Sequence, residues 1–462
     1  GGHIIISADD RMDPIRAYVP NEYYNINSDN PGIAVWKYWH EKFFIDSIIA
    51  PIQSDRKINE WDFFTNPSTN YSVLMTQVGP LMNSIWDQSR DCENNIVESQ
   101  TTSGVPVGCV ATAFGQIMNY YRHPYQGTGS STAGSSGKDN PSWYPLSVNH
   151  ADANSTFDWP NMSTTTYGSQ NYCTNGDDVD QLLYDLGIAF DMDYDLGSNG
   201  GSGSFPADAR DALEDHYGYD DWIEKNEAWN NTWATWRNMI QTEINANRPI
   251  EYHGYTPANE GHSWVCDGYD ITGSSETFHM NWGWGGGQQG SSNGWYSLPI
   301  TQPASSSSFT FSDSHGMVRY IRPGTDLKNY SGFTTTYSGN ELYHKIKNDY
   351  VDGTHGARCN PFTVKYYASD NTNITTSDEY LGYATFPTGL SGGQLGNITK
   401  TIDPDSYDIT PGNYYIGWRI DSEGEVWERN VNNNTGYYSS MVYFPGQADL
   451  AITNESHLIG PL

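Results

Sequence analysis

The hydrophobic pattern changes character three times along the chain. Near the start, the β-branched run in Gly2–Ala8 predicts a strand, Asp9-Asp10-Arg11 a turn, and Pro14–Tyr18 a second extended stretch. Trp36, Trp39, Phe43, Phe44 and Ile48 recur at helical spacing and predict a helix within Ile33–Ile49. Pro51–Asn70 is polar and rich in turn formers, as a linker is. The next block carries helical stripes. Ala113, Ile117, Tyr120 and Tyr121 make one face of Val110–Arg122; Val179, Leu182, Leu183 and Leu186 make one face of Asp178–Phe190. Pro206–His216 and Trp233–Ala246 read as two further helices, the second with Trp236, Met239, Ile240 and Ile244 in phase. Tyr125–Ser155 and Asn199–Phe205 read as Gly/Ser loops. After Arg248 the period becomes that of strands, at Ile250–Tyr255, Ser263–Tyr269, Phe278–Trp282 and Gly294–Leu298. Helices followed by strands predict an α+β domain. Beyond Arg322-Pro323-Gly324 the chain turns to short alternating runs, at Phe362–Tyr367, Tyr414–Ile420, Val426–Glu428 and Ser440–Phe444, which predict an all-β sandwich. The expected domains are thus 1–68, 69–324 and 325–446, with a tail at 447–462.

Composition narrows what this architecture does. The length of 462 residues suits roughly three domains. Lys and Arg number 23 against 55 Asp and Glu, a formal charge of −32, which repels nucleic-acid backbones and anionic membranes alike. Hydrophobic residues make only 36% of the chain, yet 16 Trp, 34 Tyr and 15 Phe argue for aromatic cores rather than disorder. No apolar run is long enough to cross a bilayer, and Phe43–Pro51 is interrupted by charge. The opening Gly-Gly-His-Ile-Ile-Ile-Ser lacks both an initiator Met and the basic and apolar regions of a signal peptide, so a processed chain is expected. Five cysteines occur without a Cys-x-x-Cys pair, which speaks against a zinc ribbon. An odd count leaves at least one thiol over for chemistry.

Cys109 is the candidate. In Val107-Gly108-Cys109-Val110-Ala111-Thr112-Ala113 it stands where a glycine ends a loop and a helix begins, and a helix N-terminus stabilises a thiolate. His262 heads a strand in Gly261-His262-Ser263-Trp264-Val265-Cys266-Asp267-Gly268-Tyr269 and supplies a candidate base for that thiol. Asn281 and Trp282, in His279-Met280-Asn281-Trp282-Gly283-Trp284-Gly285-Gly286, follow a strand. An Asn there can fix the tautomer of an imidazole, and the Trp can cover the bond from water. Gln88, in Ile85-Trp86-Asp87-Gln88, is a side-chain amide upstream of the cysteine, as an oxyanion hole needs. Each motif taken alone has a plain structural alternative: a helix start, a strand end, a glycine turn, a surface amide.

Taken together and in this order, the three glycine-flanked motifs closely resemble the streptopain family of cysteine peptidases, over about residues 71–323. The resemblance implies a papain-like fold, with Cys109 as nucleophile, His262 as general base and then acid, and Asn281 orienting His262. It also implies that Trp282 shields that pair and Gln88 completes the oxyanion hole. Gly108, Gly261, Ser263 and Trp284 flank these residues and are expected to meet substrate. The loops Ser198–Ser204 and Gly283–Asn293 are expected as cleft walls. Gly-Gly-His-Ile-Ile-Ile-Ser-Ala-Asp-Asp-Arg-Met resembles the end of the family's inhibitory pro-domain, so residues 1–68 are expected to act as an intramolecular inhibitor of a zymogen, released by a cut between Ile52 and Val73. Residues 325–446 resemble an adhesion-type immunoglobulin-like module, on Phe362–Asp370, Gly412–Trp418 and Asn430–Asn434.

The expected activity is therefore that of a secreted or cell-surface cysteine endopeptidase acting on polypeptides, with no cofactor, nucleic-acid partner or membrane span. An acyl transferase using the same residues and a surface binding protein with a latent peptidase domain stand as alternatives. Asp177, Asp178, Asp191, Asp193 and Asp195 form an acidic cluster without the spacing of a calcium loop. Asn161, Asn329 and Asn373 head sequons that matter only in a glycosylating host. Cys92, Cys173, Cys266 and Cys359 can pair in three ways, and Cys266, on a core strand, is expected to stay reduced.

Overall fold

The computed structural model describes residues 75–88, 95–134, 143–152, 155–162, 178–196, 201–272, 275–285, 293–299, 310–349 and 357–446, with the backbone of 3–6 and 15–19. The helix expected in 33–49, the linker at 51–70, Cys92, Cys173 and the tail from 447 lie outside these residues. The chain divides into two compact units, Gly1–Pro323 and Gly324–Leu462.

The first unit is mixed α and β. A hairpin of β1 (His3–Ile6) and β2 (Ile15–Val19) opens it, followed by β3 (Met75–Val78) and α1 (Asn95–Gln100). Next come α2 (Cys109–Tyr121), the hairpin β4 (Ser130–Ala133) and β5 (Leu146–Asn149), α3 (Asp178–Ala189), and α4 (Pro206–Tyr217). Then follow β6 (Glu224–Glu227), α5 (Trp233–Asn245), β7 (Ile250–Tyr255), β8 (Gly261–Thr272), β9 (Ser275–Asn281), β10 (Gly294–Tyr296) and β11 (Asp313–Arg319). The strands pair in the order β10-β9-β8-β7-β11-β6, with β3 joining the far end of β8.

Period-2 alternation gives this sheet two apolar faces. Val265 and Val318 face a core built from α2, α3 and α4. Tyr252, Trp264, Cys266, Met280 and Met317 face a second core with Trp236, Ile240 and Ile244 of α5. Helix α2 is buried on nearly every side rather than along one stripe. It lies between β8 and α3, and its small residues Ala111, Ala113 and Gly115 allow that approach. A Cβ on Gly115 would stand 2.6 Å from the Leu183 side chain. The stretch 125–155, read as a loop, contains the β4–β5 hairpin; its Ser- and Thr-rich first strand hides the alternation.

The second unit has two antiparallel sheets. In one, β14 (Glu341–Asn348) is flanked by β12 (Leu327–Asn329) and β13 (Thr336–Ser338) and pairs with β17 (Leu395–Thr401). In the other the order is β16 (Glu379–Phe386), β15 (Phe362–Ser369), β18 (Gly412–Arg419), β19 (Thr435–Tyr437), with β20 (Val442–Phe444) also on β18. Leu342, Ile346 and Ile398 of the first meet Phe362, Val364, Tyr366 and Trp418 of the second in one buried cluster. Val426–Glu428, expected as a strand, is irregular. There the Glu428 carboxylate accepts from the Leu327 N–H and the Asn434 amide, each at 2.6 Å.

Candidate active site

The turn into α2 depends on glycine. Gly108 has φ 93°, and a Cβ there would come within 2.8 Å of the Met192 side chain and 3.2 Å of the Ser202 carbonyl. Cys109 is thereby delivered as the first residue of α2, half-buried, with its sulfur facing the backbone N–H groups of Ser263, Cys109 and Val110. Ser263 directly follows His262, so the helix start and the strand start converge here. Burial pushes the Cys109 thiol up to about 11; the three N–H groups pull it back, and the charge of Glu251 adds to the rise. The N–H groups at the helix start favour the thiolate, and burial opposes it.

His262 lies near the start of β8 and is 7% exposed. Its Nε2 donates to the Trp282 carbonyl at 2.9 Å. A carbonyl only accepts, so Nε2 carries the proton and Nδ1 of the neutral ring keeps a lone pair. The ring is stacked among Trp284, Phe311, Trp264 and Trp282, with centroids 4.6, 5.4, 5.8 and 6.2 Å away. Burial pushes its pKa down to about 4, against the pull of the Trp282 carbonyl.

Asn281 does not hold His262. Its Nδ2 donates to the Ser84 carbonyl at 2.7 Å and to Gln116 Oε1 at 3.0 Å, and its Oδ1 accepts from the Gly283 N–H at 3.3 Å. The reason is strand alternation: Asn281 pairs with Val265, which faces α2, so the Asn side chain points to that helix. The orienting acceptor is instead the main chain of the next residue, and the Trp282 ring lies nearly parallel to the imidazole, at 13°. Trp282 is itself fixed by its N–H donating to Asn293 Oδ1 at 2.9 Å.

Gln88 is half-buried and clamped by its backbone. Its N–H donates to the Gly283 carbonyl at 3.2 Å and its carbonyl accepts from the Val107 N–H at 2.9 Å. The bridge of Asp87 with Trp284 extends the clamp. Gln88 thus touches both the residue two before Cys109 and the residue after Trp282.

Of the expected substrate contacts, Trp284 covers His262, and Gly261 is exposed beside the Tyr255 ring. Ser263 faces inward instead. Its hydroxyl donates to Glu251 Oε1 at 2.7 Å and is 2% exposed. That carboxylate is fully buried and also meets His253 Nδ1 at 3.1 Å. Glu251, His253 and Gln116 were missed from the sequence. The visible signal was a Glu and a His in a strand whose neighbours are otherwise apolar or aromatic. Of the expected cleft walls, the part near Ser202 lies against Gly108 and Pro106, with the Ser202 hydroxyl donating to the Pro106 carbonyl at 2.6 Å; the rest, at 198–200 and 286–292, falls outside the described residues. Among the described residues no three His, Cys, Asp or Glu side chains gather to hold a metal. Asp191 instead accepts from the Gly134 N–H and Asp195 from the Leu196 N–H. Cys109, Cys266 and Cys359 are all free thiols. No helix among the described residues is long and apolar enough to cross a membrane.

Residues 86–296 match the Peptidase C10 family. Streptopain of Streptococcus pyogenes serotype M28 is 27% identical over 321 residues, 66% of this chain and 73% of streptopain. The thiol protease/hemagglutinin PrtT of Porphyromonas gingivalis is 27% identical over 316 residues, 66% of this chain and 33% of PrtT. Among solved structures, active interpain A cysteine protease of Prevotella intermedia is 27% identical and covers 53% of this chain and 94% of its own, with a TM-score of 0.45.

Proposed function

From a chain that belongs to the streptopain family of cysteine endopeptidases, we propose that Cys109 and His262 are the catalytic pair and that residues before about 69 belong to an inhibitory segment. The observation that carries the pairing is the bond from His262 Nε2 to the Trp282 carbonyl, which leaves Nδ1 as the base, with Ser263, its neighbour in sequence, against the Cys109 sulfur. In the proposed reaction the Cys109 S–H proton passes to Nδ1 and the thiolate attacks the peptide carbonyl carbon. The oxyanion takes hydrogen bonds from the Gln88 side-chain amide and the Cys109 N–H. The imidazolium then gives its proton to the departing amine, leaving a thioester. Water, deprotonated by His262, hydrolyses that thioester and restores the thiol.

The neutral state of both groups suits a latent enzyme. Burial pushes the Cys109 thiol up to about 11 and the His262 imidazole down to about 4, which favours the neutral form of each. The hairpin β1–β2 belongs to the same compact unit, and β2 approaches β9, the strand that ends at Asn281. A cut between Ile52 and Val73 would release it. The second unit, two sheets about a common core, fits an immunoglobulin-like spacer or tether of a secreted or surface enzyme.

Self-processing of the purified chain tests both halves. Incubated under reducing conditions, it is expected to acquire a new N-terminus between residues 52 and 73 and then to hydrolyse a denatured protein, while Cys109→Ala does neither. Processing by Cys109→Ala alone, or a stable new terminus elsewhere, contradicts the reading.

A further inference from the structure

We propose that Gln116 is a positioning residue of the reaction: its single amide oxygen sets the place of the oxyanion donor and of the histidine's acceptor relative to the nucleophile. The inference rests on the assignment of Cys109, His262 and Gln88 above. Gln116 lies two turns along α2 from Cys109 and is fully buried. Its Oε1 accepts from the Trp86 N–H at 3.1 Å and from Asn281 Nδ2 at 3.0 Å. Those two partners belong to the segments that build the rest of the site. Trp86 lies two residues before Gln88 in the same irregular segment. Asn281 precedes Trp282, whose carbonyl holds His262.

The two segments meet again at the site itself, where the Gln88 N–H donates to the Gly283 carbonyl and the Val107 N–H to the Gln88 carbonyl. Helix α2 thus holds both segments through Gln116, and Val107, in the loop just before the helix, ties the first of them again beside Cys109. Loss of the oxygen would unpair a buried N–H and a buried amide and let both segments move relative to α2. A displacement of about 1 Å in such a frame can cost on the order of 100-fold in rate.

The opposite end of the side chain gives the discriminating variant. Among the described residues Gln116 Nε2 has no hydrogen-bond partner. Glu at this position keeps the accepting oxygen and the shape, and loses no bond. Met keeps the approximate volume and removes the acceptor. A mere space-filling role would be served by Met.

The test uses the full chain, activated, as wild type, Gln116→Met and Gln116→Glu. Reactive sites are counted by titration with the inhibitor E-64. Then kcat and KM are measured per titrated site on a peptide amide, and the alkylation rate of Cys109 by iodoacetamide is followed. Gln116→Met is expected to lose about 10- to 100-fold in kcat, by the misplacement argument, with KM and alkylation within about twofold. Gln116→Glu is expected to stay within about threefold of wild type in kcat, since the acceptor is kept. Unchanged kcat per site in Gln116→Met overturns the proposal, whatever its melting temperature. So does equal impairment of the two variants. If Gln116→Met does not fold, Asn281→Asp removes the donor instead, and unchanged kcat there overturns the proposal equally. Failure of the wild type to titrate on Cys109 would sink the assignment of the catalytic pair, a separate result.

Discussion

Burial shifts the protonation of Cys109 and His262, and their neighbours set how far. The Cys109 thiol is raised mainly by desolvation, with the Glu251 charge acting in the same direction. Glu251→Gln removes that charge and keeps a hydrogen-bond acceptor for Ser263. The thiol pKa should fall, and iodoacetamide should label Cys109 several-fold faster at pH 7 to 8. A slower or unchanged rate would show that Glu251 does not act on the sulfur. His262 is lowered mainly by desolvation under a cover of aromatic rings, of which Trp284 is the nearest. Trp284→Ala opens that cover, so the imidazole should move from about 4 toward its ordinary 6.5. The acid limb of the pH dependence of kcat/KM should move to higher pH; an unmoved limb would contradict the assignment of burial as the cause.

Elements decide which of these side chains meet. The starts of α2 and β8 and the end of β9 were all legible in the sequence, because amphipathic spacing, strand alternation and flanking glycines mark them. Cys109, His262 and Trp282 could be placed from that. The direction of Asn281 could not be read, since one register choice in β9 decides whether its side chain or the next main-chain carbonyl reaches His262. The buried Glu251 and Gln116 were equally hidden: a polar residue inside an apolar strand or helix has no pattern of its own until its partners are known. Gly108 tests the element scale. Gly108→Ala meets both a left-handed φ and the Met192 and Ser202 contacts, so it should lower stability by about 1–3 kcal/mol and reduce the titratable fraction of Cys109. Wild-type melting and full titration would mean that the turn tolerates a side chain.

Across the whole molecule, buried titratable groups pull stability in opposite directions as pH changes. His123 and His262 are lowered to about 4, and His150, His315 and His344 to about 3, each chiefly by burial. Their folded values lie below the unfolded 6.5, so the unfolded chain takes up protons first, and stability should fall as pH drops from about 6.5 toward 3. Glu428 behaves in the opposite sense. Burial raises it from 4.5 to about 8, so the stability of its neutral form is fully present below about 4.5 and is lost as pH rises from there to about 8. Glu428→Gln should therefore flatten the loss of the second unit's melting temperature between pH 4.5 and about 8 and leave that of the first unit unchanged. Equal shifts in both transitions would show that the two units do not unfold separately.

The central claim is that Cys109 is a nucleophile served by His262. The most direct measurement is reaction of the activated chain with E-64, followed by mass mapping of the adduct, in wild type and His262→Ala. The account predicts one adduct, on Cys109, formed at least 100-fold more slowly without His262, the size of a general-base contribution. An adduct on Cys266 or Cys359, no adduct, or an unchanged rate in His262→Ala would contradict it.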